Sequence, residues 1–122
     1  MKRSIAVMSL GALLLTGCGG PEKDAEYETI NELATAYEDG LGGDVECRET
    51  TLDIEDNNWV STTCGKHTIL MMFTSDDKRE AILNKNPLRD GNLRIQGPNW
   101  VIEAPQYEAE DAQEVLGGTV LD

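Results

Sequence analysis

The chain has 122 residues, with 23 acidic side chains against ten Lys and Arg and a net charge of −13. That length supports one small domain with a modest core. The acidity excludes a bare nucleic-acid binder, which needs a basic patch, and it sets the body of the chain against anionic lipid headgroups.

Lys2 and Arg3 precede an uncharged run of apolar and small residues from Ile5 to Leu15. A positive end before a short apolar run reads as a secretory signal peptide. The run is too short for a spanning helix, which needs about 20 apolar residues. Leu15-Thr16-Gly17-Cys18 follows directly. This stretch resembles a bacterial lipobox, the Leu-x-Gly/Ala-Cys signal of lipoprotein precursors, and the resemblance covers about the first twenty residues. It implies cleavage before Cys18, a diacylglyceryl group on the Cys18 thiol, and attachment by acyl chains to the extracytoplasmic side of the cell membrane. The expected division is a signal peptide over 1–17, the lipidated Cys18 and a flexible Gly-Gly-Pro tether over 18–24, a folded domain over 25–118, and a loose tail over 119–122. Cleavage removes Lys2 and Arg3 and no acid, so the mature chain carries −15. Lipid, not basic residues, then has to hold the protein at the membrane.

With Cys18 acylated, Cys47 and Cys64 remain as an even pair in an oxidising compartment. A Cys47–Cys64 disulfide is expected. It closes a loop of about 18 residues and is worth roughly 3 kcal/mol in the chain-entropy model. A metal site on the two thiolates is the weaker reading, because His67 is the only histidine and ligand spacing is missing.

In chain order, Ile30, Leu33, Ala34, Tyr37 and Leu41 form one apolar stripe, which predicts a helix over 25–41. Thr29 and Glu32 have capping-box spacing, and Gly40, Gly42 and Gly43 end the helix. A strand is expected over 44–54, with a bend near Thr50 where the alternation changes parity. Asp56-Asn57-Asn58 turns the chain into a second strand over 59–64, which brings Cys47 near Cys64. A third strand over 67–74 holds Ile69-Leu70-Met71-Met72-Phe73, apolar on both faces and expected to be the most buried. Ser75 caps a second helix to about Asn84, with Asp76 and Asp77 in its first turn and Ala81, Ile82 and Leu83 inward. Leu93 and Ile95 alternate with Arg94 and Gln96 in a half-exposed strand, Gly97-Pro98-Asn99 turns, and Trp100-Val101-Ile102 continues as strand to Pro105. A last helix over 107–116 turns Ala109, Ala112, Val115 and Leu116 inward. The expected fold is one α+β domain in the order α-β-β-β-α-β-β-α, with its helices on one face of an antiparallel sheet.

Chemistry is sparse. No Gly-x-Ser-x-Gly elbow accompanies His67, and Gly40-Leu41-Gly42-Gly43 follows a helix instead of opening one, so it is no phosphate cradle. Asp53, Glu55 and Asn57 alternate as in a calcium loop, but Asn58 stands where Gly belongs and Cys64 where the bidentate Glu belongs. No enzyme activity, metal or other cofactor is expected. Trp59 and Trp100, each after a turn, are the candidate contact residues for a partner.

Beyond the signal, the helix with a downstream Gly, the Cys47 and Cys64 pair, Gly97-Pro98-Asn99-Trp100 and the final Leu116-Gly117-Gly118 resemble small uncharacterised actinobacterial lipoproteins. That resemblance implies no activity. The expected function is a lipid-anchored, extracytoplasmic binding protein of the bacterial cell envelope that meets another envelope protein or a wall component and no nucleic acid. Two alternatives are a prophage-type superinfection-exclusion lipoprotein and, less favoured, an envelope hydrolase.

Overall fold

A computed structural model of the chain describes residues 22–42, 45–49 and 58–121. Helix α1 spans Ile30–Gly40. Thr29 is its N-cap: Thr29 Oγ1 accepts from the Glu32 N–H at 3.1 Å, and Glu32 Oε1 accepts from the Glu28 N–H at 3.0 Å. This capping box starts the helix at Ile30 and not at Ala25, because the preceding residues have another task.

That task is a strap. The Asp24 N–H donates to Leu116 O at 2.8 Å, and the Asp24 carboxylate accepts from the Gly118 N–H at 2.7 Å. Trp100 Nε1 donates to Ala25 O at 2.8 Å. The Asn99 side-chain amide donates to Tyr27 O at 2.8 Å and accepts from the Tyr27 N–H at 3.3 Å. The folded body therefore begins at Asp24, and the tether expected to run through Asp24 ends before it. Gly117 makes the approach feasible: its φ is +84°, and a Cβ there would lie 2.8 Å from the Asp24 backbone nitrogen.

Strands β1 (Trp59–Cys64) and β2 (Thr68–Phe73) form a hairpin, and α2 (Asp76–Lys85) follows. Ser75 caps α2 by accepting from the Lys78 N–H at 3.1 Å. Strands β3 (Asn92–Gln96) and β4 (Trp100–Pro105) form a second hairpin, then α3 (Gln106–Leu116) and β5 (Thr119–Leu121) complete the chain. All pairings are antiparallel, in the order β1-β2-β4-β3-β5. The α+β class expected from the sequence is the class found.

Several expectations need correction. The residues expected as a loose tail, Thr119–Leu121, pair with β3 as an edge strand. Gly117 and Gly118 reverse the chain after α3, and the β3 edge then offers free hydrogen-bonding groups. The strand expected over 44–54 is reduced, within residues 45–49, to an isolated bridge of Cys47 to Cys64. Residue 44 and residues 50–54 of that expectation, with the bend near Thr50, lie outside the described residues. Strands β2 and β4 each have five of six residues buried, but those of β4, the middle strand of the sheet, are the more completely enclosed, so β4 and not β2 is the most buried strand.

The helices also lie on both faces. Alternation sends Val60, Leu70, Met72, Ile95, Trp100, Ile102 and Ala104 to one face, where they pack with α1 and α3 into the larger core. It sends Met71, Phe73 and Val101 to the other, under Ile82 of α2. A strand such as β2, apolar on both faces, needs cover on both. The cover from α2 is thin: Ile82 is buried and Leu83 partly so, while Ala81, expected inward, is exposed.

The Cys47–Cys64 disulfide forms as expected. The backbone around it extends the edge of β1, through Arg48 N–H to Thr63 O at 2.9 Å and Gly65 N–H to Glu46 O at 3.0 Å.

Candidate functional site

The thin cover over the second sheet face leaves an opening on each side of α2. One, of about 260 Å³, lies between α2 and the β1–β2 hairpin, with Trp59, Ser61, Ile69, Met71 and Ile82 as its walls and Arg89 and Arg94 at its end. The other, of about 340 Å³, lies toward β5, between Leu83, Leu88, Gln96 and Leu121. Arg94 borders both.

Trp59 is half-buried and stacks on Phe73, with ring centroids 6.3 Å apart and 13° between planes. It presents one face of an aromatic wall to the first groove. Trp100, its expected companion, is fully buried in the opposite core, with its N–H spent on Ala25 O and its ring 6.5 Å from Tyr27. Trp100 is therefore a structural residue and not a contact residue. Its position directly after a turn puts it at the start of the central strand with its side chain on the α1–α3 face.

The charged end of the groove was not legible as a site. Arg94, expected at a half-exposed position, is buried, and its Nε donates to Glu103 Oε1 at 2.9 Å. Arg94 Nη2 donates to Asn86 O at the end of α2. Glu103 Oε2 accepts from Asn92 Nδ2 at 3.0 Å and lies 3.6 Å from Arg89 Nε. Glu103 thus has both oxygens engaged, as a buried carboxylate requires. A signal for this pair existed: Arg94 and Glu103 are register partners, equally far from the Pro98-Asn99 midpoint of their hairpin.

On the other face, Tyr37 Oη and Thr68 Oγ1 both donate to Glu108 Oε2, the latter at 2.6 Å. Burial, and then the hydrogen bond to the Glu108 carboxylate, hold the Tyr37 phenol protonated far above the usual tyrosine range. This cluster ties α1, β2 and α3 together.

Cys18 and the alternating oxygen ligands of the calcium-loop test, Asp53, Glu55 and Asn57, lie outside the described residues. His67 is exposed, and its carbonyl accepts a long bond of 3.5 Å from Asn92. Among the described residues, no three His, Cys, Asp or Glu side chains are grouped to hold a metal ion, and no helix is long and apolar enough to cross a membrane. Comparison with known protein families, with curated proteins and with solved structures returned no match.

Proposed function

We propose that this protein is a lipid-anchored binding domain of the bacterial cell envelope. Acyl chains on Cys18 hold it on the extracytoplasmic side, and it acts by contact with another envelope protein or a wall component, not by catalysis. The observation that carries this reading is the groove between α2 and the β1–β2 hairpin, where the half-buried Trp59 and the rim Arg89 stand together at an incompletely covered sheet face. Aromatic and Arg side chains at a recess are the usual anchors of a binding surface. The Cys47–Cys64 disulfide supports the oxidising compartment. The strap gives the anchor a mechanical meaning: six residues from Cys18 to Asp24 reach about 20 Å at most. The sheet end that carries Asn99 and Gly118 would then stay near the bilayer, with the disulfide end outward.

Two measurements test the reading. Mass analysis of the protein from its own cells should show Cys18 as the first residue, carrying diacylglycerol, and Cys18→Ala should leave the membrane fraction. An unmodified Cys18 overturns the anchoring. A photo-crosslinker at Ser61, inside the groove, should capture an envelope component, and Trp59→Ala should reduce the capture at least about tenfold. Undiminished capture overturns the groove as the contact. Trp100→Ala has no place in this test, since it would empty the core.

A further inference from the structure

We infer that the groove beside Trp59 takes a small carboxylate carried on an apolar or aromatic body. The inference rests on the proposed binding role of this face and names the chemistry of its ligand. Two guanidiniums, Arg89 and Arg94, share the single carboxylate of Glu103, so the end of the groove holds one positive charge in excess.

The two arginines are not equivalent. Arg94 is committed, through Nε to Glu103 and through Nη2 to Asn86 O. Arg89 is half-exposed, at 54%, and meets Glu103 only at 3.6 Å. The outer edge of its guanidinium makes no hydrogen bond among the described residues, which leaves two parallel N–H donors in the fork that a carboxylate fits. The walls leading to it are apolar: Trp59, Ile69, Met71 and Ile82. A volume of about 260 Å³ sits just below the usual range for small-molecule pockets and suits a body of about a dozen non-hydrogen atoms.

The rest of the molecule sharpens the contrast. Helices α1 and α3 carry Glu32, Glu38, Asp39, Glu108, Glu110, Asp111 and Glu114 and no Lys or Arg. Lys78, Arg79, Lys85, Arg89 and Arg94, half of the Lys and Arg in the chain, lie between residues 76 and 94 and slightly outnumber Asp76, Asp77, Glu80 and Asp90 there. The α1 and α3 helices are strongly acidic and the α2 side is close to neutral, so an anion meets less repulsion beside α2 than beside α1 and α3.

The test uses the full chain purified as the cell leaves it, held in phosphatidylcholine nanodiscs, with 4-phenylbutyrate as probe and 4-phenylbutylamine as its cationic counterpart. The acid should shift the Trp59 indole N–H and Arg89 Nε–H resonances saturably, and the amine should not. Arg89→Gln should weaken binding about tenfold with the spectrum otherwise unchanged, and Ser61→Phe should fill the groove and abolish it. Equal binding of acid and amine, unchanged affinity in Arg89→Gln, or shifts confined to α1 and α3 would each overturn the inference. A crosslink from Ser61 to an envelope component, with no binding of the acid, leaves the proposed function standing and removes this inference. Saturable binding to a chain whose Cys18 is unmodified does the reverse.

Discussion

At the scale of single residues, the Arg94–Glu103 pair decides the character of the second sheet face. Both side chains are nearly inaccessible, so each charge depends on the other for the solvation that water would have given. Arg94→Met should cost about 3–5 kcal/mol, because it strands Glu103 with only the looser Arg89 beside it. The double variant Arg94→Met/Glu103→Leu should be more stable than Arg94→Met alone, since it removes the stranded charge as well. Urea unfolding of the two variants and the wild type measures this. A double variant no more stable than the single one would show that Asn86 O and Asn92, left without Arg94 and Glu103, matter more than the ions. The pattern Leu93-Arg94-Ile95-Gln96 reads as simple in–out alternation, and that reading is right about direction. It fails on exposure, because exposure is set by α2 and Asn86 arriving from elsewhere in the chain.

At the scale of elements, the strap over residues 24–27 is held by side chains that reach to backbone. The Asn99 amide binds both polar groups of Tyr27 much as a neighbouring strand would. Asn99→Ala should leave two backbone groups without these partners and cost about 1–3 kcal/mol. Hydrogen exchange should show the Tyr27 amide losing protection while the amides of β4 keep theirs. Equal loss in both would mean that strap and sheet open as one unit. Helices α1 and α2 were legible because their signals are local: Thr29 with Glu32, and Ser75 with Asp76 and Asp77, sit within one turn of the helix starts. The strap was not legible, since Asp24, Ala25 and Tyr27 owe their conformation to Leu116, Trp100 and Asn99, more than 70 residues away.

At the scale of the molecule, α1, β2 and α3 meet at Tyr37, Thr68 and Glu108, and that junction gives the fold an alkaline limit. Burial and Glu108 raise the Tyr37 pKa, and burial with the Glu22 charge raises that of Tyr27. Tyrosine in an unfolded chain ionises near pH 10. Above that pH the unfolded chain releases these protons while the folded chain keeps them, so stability present below about pH 10 is lost as pH rises. Calorimetry should show the melting temperature falling above about pH 10. Tyr37→Phe should melt lower than the wild type near neutrality, having lost its bond to Glu108, and fall less steeply in alkali. An equally steep fall would place the limit outside this junction.

The sequence by itself determined the α+β class, the N-caps of α1 and α2, the places of the four strands from Trp59 to Pro105, and a disulfide from the parity of its cysteines. These follow from periodicity of two or 3.6, from turn residues and from counting, all of which act over short stretches of chain. Only the tertiary structure decided that α2 crosses to the second face, that Thr119–Leu121 joins the sheet, that Trp100 is core and Trp59 is rim, and that Arg94 is buried. Each of these depends on which distant segment covers a given face, and covering a face is a property of packing that no local window contains. The groove beside Trp59 exists because one slender helix covers a sheet face too wide for it.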